Sequence, residues 1–418
     1  MRYTALIIGC CLFFFGNAQR SYRSNSVLAN GDWYKLSVRN TGIYKVNAAF
    51  LQSLGINTSG LSSSAIRLYG NGGQMLAEAN SEKRPDDLTE NAILMFDGGD
   101  GVFSGDDYFL FFANGPHAWI KDSVNKTFRH QKNLYSKESF YFLTVGGTGL
   151  RVQNRNSTAS PNQQVTAFRD RYFYELDTIN FLKSGKEWYG EEFSNTPGKT
   201  LTRNFTVSFP NLLTVMPVGV VSNVAARSNG VSSSFTVRVN NAIAVQHIIA
   251  SVGTGTYDPV AFPHEAVSAF TTTQPAISLQ YNYQPGSLNS QGWLNWFELF
   301  PQRQLSMSGV DQLMFRDWET VGSGNIAEFR LQSVSAGTFV WDITDPLNPV
   351  NITGTLTGSE FRFAGPSDRL REYAAFTNQN FLSPVAAGKI SNQDLHNSTV
   401  KDYLIITPPS LLSEAQRL

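Results

Sequence analysis

The stretch Lys401-Asp402-Tyr403-Leu404-Ile405-Ile406-Thr407-Pro408-Pro409-Ser410-Leu411-Leu412-Ser413-Glu414-Ala415-Gln416-Arg417-Leu418 decides how the rest of the chain is read. Tyr403 to Ile406 is an unbroken apolar run, the pattern of a strand covered on both faces of a parallel sheet. Pro408 and Pro409 end it, because proline gives no ladder donor and cannot sit inside a helix. Ser410 is placed to cap a helix, and Glu414, Ala415 and Gln416 favour one. Strand, turn and helix in that order predict the opening of a βαβ unit. One such unit cannot make a parallel sheet, so residues 401–418 are expected to be the truncated start of an α/β domain.

Upstream of that stretch the composition is that of a β protein. Aromatic residues make up 13% of the chain, with 30 Phe and 16 Tyr, and this mixture with Gly, Ser, Asn and Thr favours strands joined by tight turns. From Leu201 to Arg303 short β patterns recur: Asn204 to Phe209, Thr214 to Ala226, Ser234 to Asn240, Ala244 to Ala250, Ala276 to Tyr283 and Trp293 to Phe300. Such spacing predicts a sandwich of jelly-roll type. Further strands are expected at Leu313 to Phe315, Ala327 to Leu331, Phe339 to Asp342, Glu360 to Phe363 and Glu372 to Phe376. Nearer the start, Trp33 to Val38 and Ile43 to Val46 flank Asn40-Thr41-Gly42 and predict a hairpin. Ile66 to Tyr69 runs into Gly70-Asn71-Gly72-Gly73, which reads as a strand–turn–strand connection. It lacks the spaced third glycine and following helix of a phosphate loop.

The chain has 418 residues, enough for two or three domains. The expected division is a signal peptide over 1–18, an amino-terminal β domain over 19–150, a polar linker over 151–165, a β-sandwich over 166–385, a second linker over 386–400, and the α/β start over 401–418. Arg2, the apolar Leu6 to Phe15 and Gly16-Asn17-Ala18 are the three parts of a secretory signal. Ile7-Ile8-Gly9-Cys10 also has the look of a lipoprotein signal, and that alternative stays open. Both cysteines, Cys10 and Cys11, fall in this segment, so a chain cleaved after Ala18 holds no thiol and no disulfide. Thirty-three basic residues balance 33 acidic ones, which excludes the electrostatic footprint of a nucleic-acid binder.

Few residues invite a site. Asp97, Asp100, Asp106 and Asp107 lie in a glycine-rich segment and could offer oxygen ligands to calcium. Their spacing is not that of an EF-hand, and turn chemistry accounts for Asp and Gly equally well. His117 and His130 have no carboxylate at a recognisable spacing, and a histidine near Trp119 is expected to be a structural donor. Arg169, Arg171, Tyr172, Tyr174, Trp188 and Tyr189 could grip a glycan or peptide if exposed, but are expected to pack.

Several of these blocks carry a family resemblance. Tyr-Leu-Ile-Ile-Thr-Pro followed by Leu-Leu-Ser-Glu-Ala resembles the first strand and helix of the gingipain-type cysteine peptidase domain. The Trp33-Tyr34-Lys35-Leu36 and Thr41-Gly42-Ile43-Tyr44-Lys45-Val46 blocks, Gly292 to Leu299 with Arg303, and Phe339 to Pro346 are similar to the sortase branch of that family, from the type IX secretion system of Bacteroidetes. The resemblance is strongest over residues 28–145 and 293–418. It implies a surface cysteine endopeptidase, associated with the outer membrane, that removes carboxy-terminal secretion signals from exported cargo. The same resemblance implies attachment of cargo to surface lipopolysaccharide, contact with other surface components of that secretion system, and no obligatory cofactor. None of the family's catalytic residues has a matching position here, so the nucleophile is expected beyond Leu418 and this chain is expected to be inactive. The alternative is a secreted, non-enzymatic β-sandwich for adhesion or glycan binding, which has no need of the strand and helix at 403–418.

Overall fold

A computed structural model describes residues 22–181, 183, 186–399 and 401–418. The expected signal peptide over 1–18, with Cys10, Cys11 and the cleavage site at Ala18, lies outside the described residues. The structure is mainly β, as its composition predicts; among the described residues the α-helices are Ala48–Ser53 and Leu412–Ala415. None of the described helices is long and apolar enough to cross a membrane.

The first β unit packs two sheets around Leu36, Val46, Leu51, Phe109, Phe111 and Tyr141. One sheet runs Val385–Ile390, Trp33–Val38, Ser139–Val145, Ile66–Tyr69 and Glu90–Asn91; the other runs Gly42–Asn47, Tyr108–Ala113 and Leu94–Phe96. The expected hairpin is therefore a corner. Trp33–Val38 pairs with Ser139–Val145, and Gly42–Asn47 pairs with Tyr108–Ala113 in the opposite sheet. The reason is burial on both faces of each strand, which a simple two-stranded ribbon cannot supply. Thr41 at the corner accepts a hydrogen bond from the Gly115 backbone N–H. The Gly70 to Gly73 stretch leads not straight into a strand but into an irregular segment that returns at Glu90–Asn91.

The second unit is an antiparallel sandwich. Ser233–Val239 and Ala276–Gln284 alternate buried and more exposed residues, as strands with one wet face must. Their sheet, completed by Thr202–Ser208 and Ala242–Ile249, faces one built on Gln291–Phe300, Val218–Arg227, Phe262–Phe270 and Tyr172–Glu175. Phe235, Tyr281, Tyr283, Leu294 and Phe297 fill the space between.

Residues beyond this sandwich form a third unit instead of extending the second to 385. Its sheets carry Gln312–Arg316, Phe339–Asp342 and Glu372–Phe376 on one side, and Ile326–Leu331 and Glu360–Pro366 on the other. Phe315, Phe329, Phe363 and Tyr373 form its aromatic core. Neither expected linker is merely a linker. Gln153–Asn156 pairs in parallel with Val350–Thr353, and Gln163–Val165 in parallel with Ile326–Leu331, so residues 151–165 supply one strand to each sheet of the third unit. Val385–Ile390 returns to the first unit and pairs with Trp33–Val38. Backbone ladders hold these polar segments, which side-chain patterning alone does not reveal. A further apolar cluster containing Ile43, Leu110, Phe112, Trp341 and Phe376 joins the first and third units.

The end of the chain departs from the expected strand. Residues 403–406 belong to no sheet among the described residues, and Leu404 and Ile406 are 75% and 89% exposed. A strand exists through its ladder, and no described backbone lies alongside this one. The expected helix from Ser410 to Leu418 is reduced to a short turn over Pro409–Leu411 followed by Leu412–Ala415, and Ser410 lies within that turn instead of capping a helix.

Candidate functional site

One element belongs to none of the three cores. Ala118–Asp122 and Thr127–Gln131 form a two-stranded arm whose strands pair only with each other. An isolated two-stranded ribbon is marginal in water, so its position depends on what it lies against. Asp122 fixes the tip by accepting from the N–H groups of Val124 and Asn125. Phe128 and Trp119 pack with Val221, Phe300, Trp318 and Leu370, residues from the second and third units.

His130 anchors the arm. Its backbone N–H donates to Glu298 Oε1 at 2.7 Å, and its ring bridges two carboxylates, Nδ1 to Glu298 Oε1 and Nε2 to Glu175 Oε2, each at 2.7 Å. The ring stacks on Phe173 at 4.4 Å and meets the edge of Trp296. Burial opposes a charge here, but the bonds to Glu175 and Glu298 outweigh it and raise the His130 pKa. Arg129 links Glu298 to Glu265, and Lys132 reaches Asp177 at 2.9 Å. Glu298 is fully buried. The sequence-based expectation of a structural role for His130 thus meets its geometry, while its two carboxylate partners went unseen. They lie 45 and 168 residues away in the chain, and no spacing signal exists at that distance.

A second charged cluster lies beside the first. Arg303 donates to Asp170 at 2.6 Å, Arg171 donates to Glu372 at 2.8 Å, and Arg316 and Lys121 approach the same Glu372 at 3.2 and 3.6 Å. Burial works against the Glu372 anion, yet Arg316, Arg171 and Lys121 keep its pKa below the usual value. This cluster borders a cavity of about 320 Å³ where all three units and the arm meet. An open groove of about 500 Å³ runs between the arm and the outer face of the sandwich, lined by Asp122, Arg129, Arg169, Val267 and Phe300.

The other expected site residues go elsewhere. Asp97, Asp100 and Asp107 accept backbone N–H groups from Gly99, Val102 and Ser104, the work of turn formation. Asp106 joins no metal cluster either, since among the described residues no three His, Cys, Asp or Glu side chains are gathered for an ion. His117 accepts a hydrogen bond from the Asn133 N–H through Nδ1. Of the aromatic set, Tyr172 and Tyr174 pack into the sandwich, Tyr189 is buried against Phe181, and Trp188 remains partly exposed.

A nucleophile–base pair does occur, but in a sealed place. His247 Nε2 lies 3.0 Å from Ser222 Oγ, which also contacts the Tyr281 hydroxyl at 2.9 Å. All three residues are fully buried, so no substrate reaches them. Burial, with His264 beside it, pushes the His247 pKa down to about 3, and the ring is neutral. The three side chains form a hydrogen-bonded chain inside the sandwich.

No family model matches the sequence, and no curated protein does. Among solved structures, the dimeric latent PorU from Porphyromonas gingivalis superposes with a TM-score of 0.79 at 21% identity, covering 95% of this chain and 36% of that one. The insecticidal delta-endotoxin Cry8Ea1 from Bacillus thuringiensis (TM-score 0.21, 11% identity, 68% of this chain and 54% of that one) and the N-glycanase PNGase F (0.23, 10%, 67% and 90%) align too poorly to bear on fold or function. The chain spans about a third of the PorU structure, and across nearly all of its own length it shares that fold.

Proposed function

We propose that this chain is the β-rich part of a type IX secretion sortase, a gingipain-like cysteine endopeptidase exported to the cell surface. The full enzyme removes carboxy-terminal secretion signals from cargo and transfers cargo to surface lipopolysaccharide, working with other surface components of that system. The observation that carries this reading is the shared fold over 95% of the chain with latent PorU. The sequence blocks at 33–46, 292–303 and 339–346 support it independently. In this reading the three β units and the arm position a peptidase domain whose first strand and helix are residues 403–418. Acyl transfer by such an enzyme needs a thiolate, a base and an oxyanion hole. Because the cysteines of the sequence are at 10 and 11, in the proposed signal, the nucleophile is assigned to sequence after Leu418.

The test is cleavage of a cargo protein that carries its secretion signal. The longer gene product releases the signal, and thiol alkylation abolishes release; residues 19–418 alone do nothing. Robust cleavage by residues 19–418, or alkylation-resistant cleavage by the longer product, defeats the proposal.

A further inference from the structure

We propose that the cavity at the meeting point of the three units binds a small dianionic oxyanion of the phosphate class. The cavity of about 320 Å³ is bordered by Thr41 and Asn114 of the first unit, His117 and Lys121 of the arm, and Arg171, Arg316, Thr344 and Glu372 of the rest. Its charges do not balance. Two carboxylates on the wall face four cations: Asp170 pairs with Arg303 at 2.6 Å and lies 3.9 Å from Arg316, and Glu372 meets Lys121, Arg171 and Arg316. Four positive charges less two negative leave an excess of two, the charge a phosphate dianion would neutralise.

Hydrogen bonding points the same way. Arg171 Nη1 and Arg316 Nε and Nη1 are buried and have no hydrogen-bond acceptor; Nε is 3.2 Å from Glu372 but poorly aligned with it. Buried donors without acceptors are rare and costly. Arg171 lies over the Phe128 ring at 4.3 Å, which holds its plane in place. Beside the Asp170 carboxylate and the Gln74 and Asn114 amides, three more groups on the wall can donate. His117 accepts at Nδ1, so its neutral ring carries the proton on Nε2. Thr41 and Thr344 already accept from the N–H groups of Gly115 and Glu372, which leaves their hydroxyl hydrogens to give. Burial, and next the nearby Arg316, draws the Arg171 pKa down to about 9, while Glu372 and Asp170 act against that shift. Lys121, about 40% exposed, and Arg171 are the cations most open to an entering ion, and Arg316, though nearly buried, also lines the cavity. A dianion bound there ties the arm to all three units.

Titration calorimetry of the purified chain with inorganic phosphate, at ionic strength fixed with chloride, tests this. Saturable one-to-one binding is expected. Lys121→Met weakens it about tenfold, the worth of one charge-assisted hydrogen bond. Lys121 sits at the cavity edge, and circular dichroism checks that the variant stays folded; Lys389→Met, remote from the cavity, binds as the parent does. Acetate, with half the charge, binds at least about tenfold more weakly. No saturable binding at millimolar phosphate, equal affinity in Lys121→Met, or equal affinity for acetate overturns the proposal.

Discussion

The arm's seat and the end of the chain break the rule of apolar inside and polar outside in opposite directions. Around His130 and Glu372, charged groups are buried. At 403–406, Tyr, Leu and Ile side chains face water. The difference lies in partners. Glu298 is buried because His130 and Arg129 come to it from the arm, and Glu372 is largely covered because three cations come to it from three segments. Residues 403–406 are as apolar as any core strand, but no described segment offers them a ladder or a face. Composition sets what a segment can become, and the neighbours it meets decide whether it does.

The largest effect that would break this contrast is at Glu298. Replacing it with Ala leaves the His130 ring and the Arg129 guanidinium without their shared partner. Removing one member of a buried pair typically costs about 3–5 kcal/mol, and urea unfolding measures it. The paired change Glu298→Leu with His130→Phe restores part of that loss, because it removes the buried charge at 298, while Glu175 and the backbone N–H of residue 130 still lose a partner. If the double variant is as unstable as the single one, the seat is held by something other than this charge pairing.

A smaller effect comes from pH. The folded-state pKa of His247 is depressed to about 3, while an unfolded histidine titrates near about 6.5. Between those values the unfolded chain binds a proton that the folded chain does not. Stability contributed by this residue therefore rises with pH through that window, by up to about 1.4 kcal/mol per pH unit. His130 has the opposite sign: its raised folded pKa gives stability that is complete below the unfolded value and lost as pH climbs through the folded one. Denaturation midpoints of His247→Asn and parent chains from pH 4 to 8 separate the two, with a flatter acid limb expected in the variant.

The smallest effect is expected at the tail. Ile406→Ser should change the stability of this chain by less than about 0.5 kcal/mol, as surface substitutions do. A loss of about 2 kcal/mol, the worth of a buried isoleucine, would mean the residue packs.

What the sequence reveals follows the same division. The sandwich was legible because alternation survives wherever one face is dry: the expected Ser234 to Asn240 and Ala276 to Tyr283 match Ser233–Val239 and Ala276–Gln284 within two residues. Strands that depend on distant partners were not. Gln153–Asn156 and Gln163–Val165 are mostly polar and exist through parallel ladders to residues about 160 to 200 positions away, and Val385–Ile390 pairs across the length of the chain. The arm's seat was hidden for the same reason. His130, Glu175 and Glu298 carry no shared motif, and only the seating of the arm on the sandwich brings His130 within 2.7 Å of each carboxylate.

The claim that residues 403–406 open a peptidase domain supported by this β scaffold is tested most directly by hydrogen exchange at those four amides. In residues 19–418 they should exchange at rates near those of an unstructured chain, and in the longer gene product they should be protected along with the core ladders. Strong protection in residues 19–418 alone, or rapid exchange in the longer product, would contradict the account.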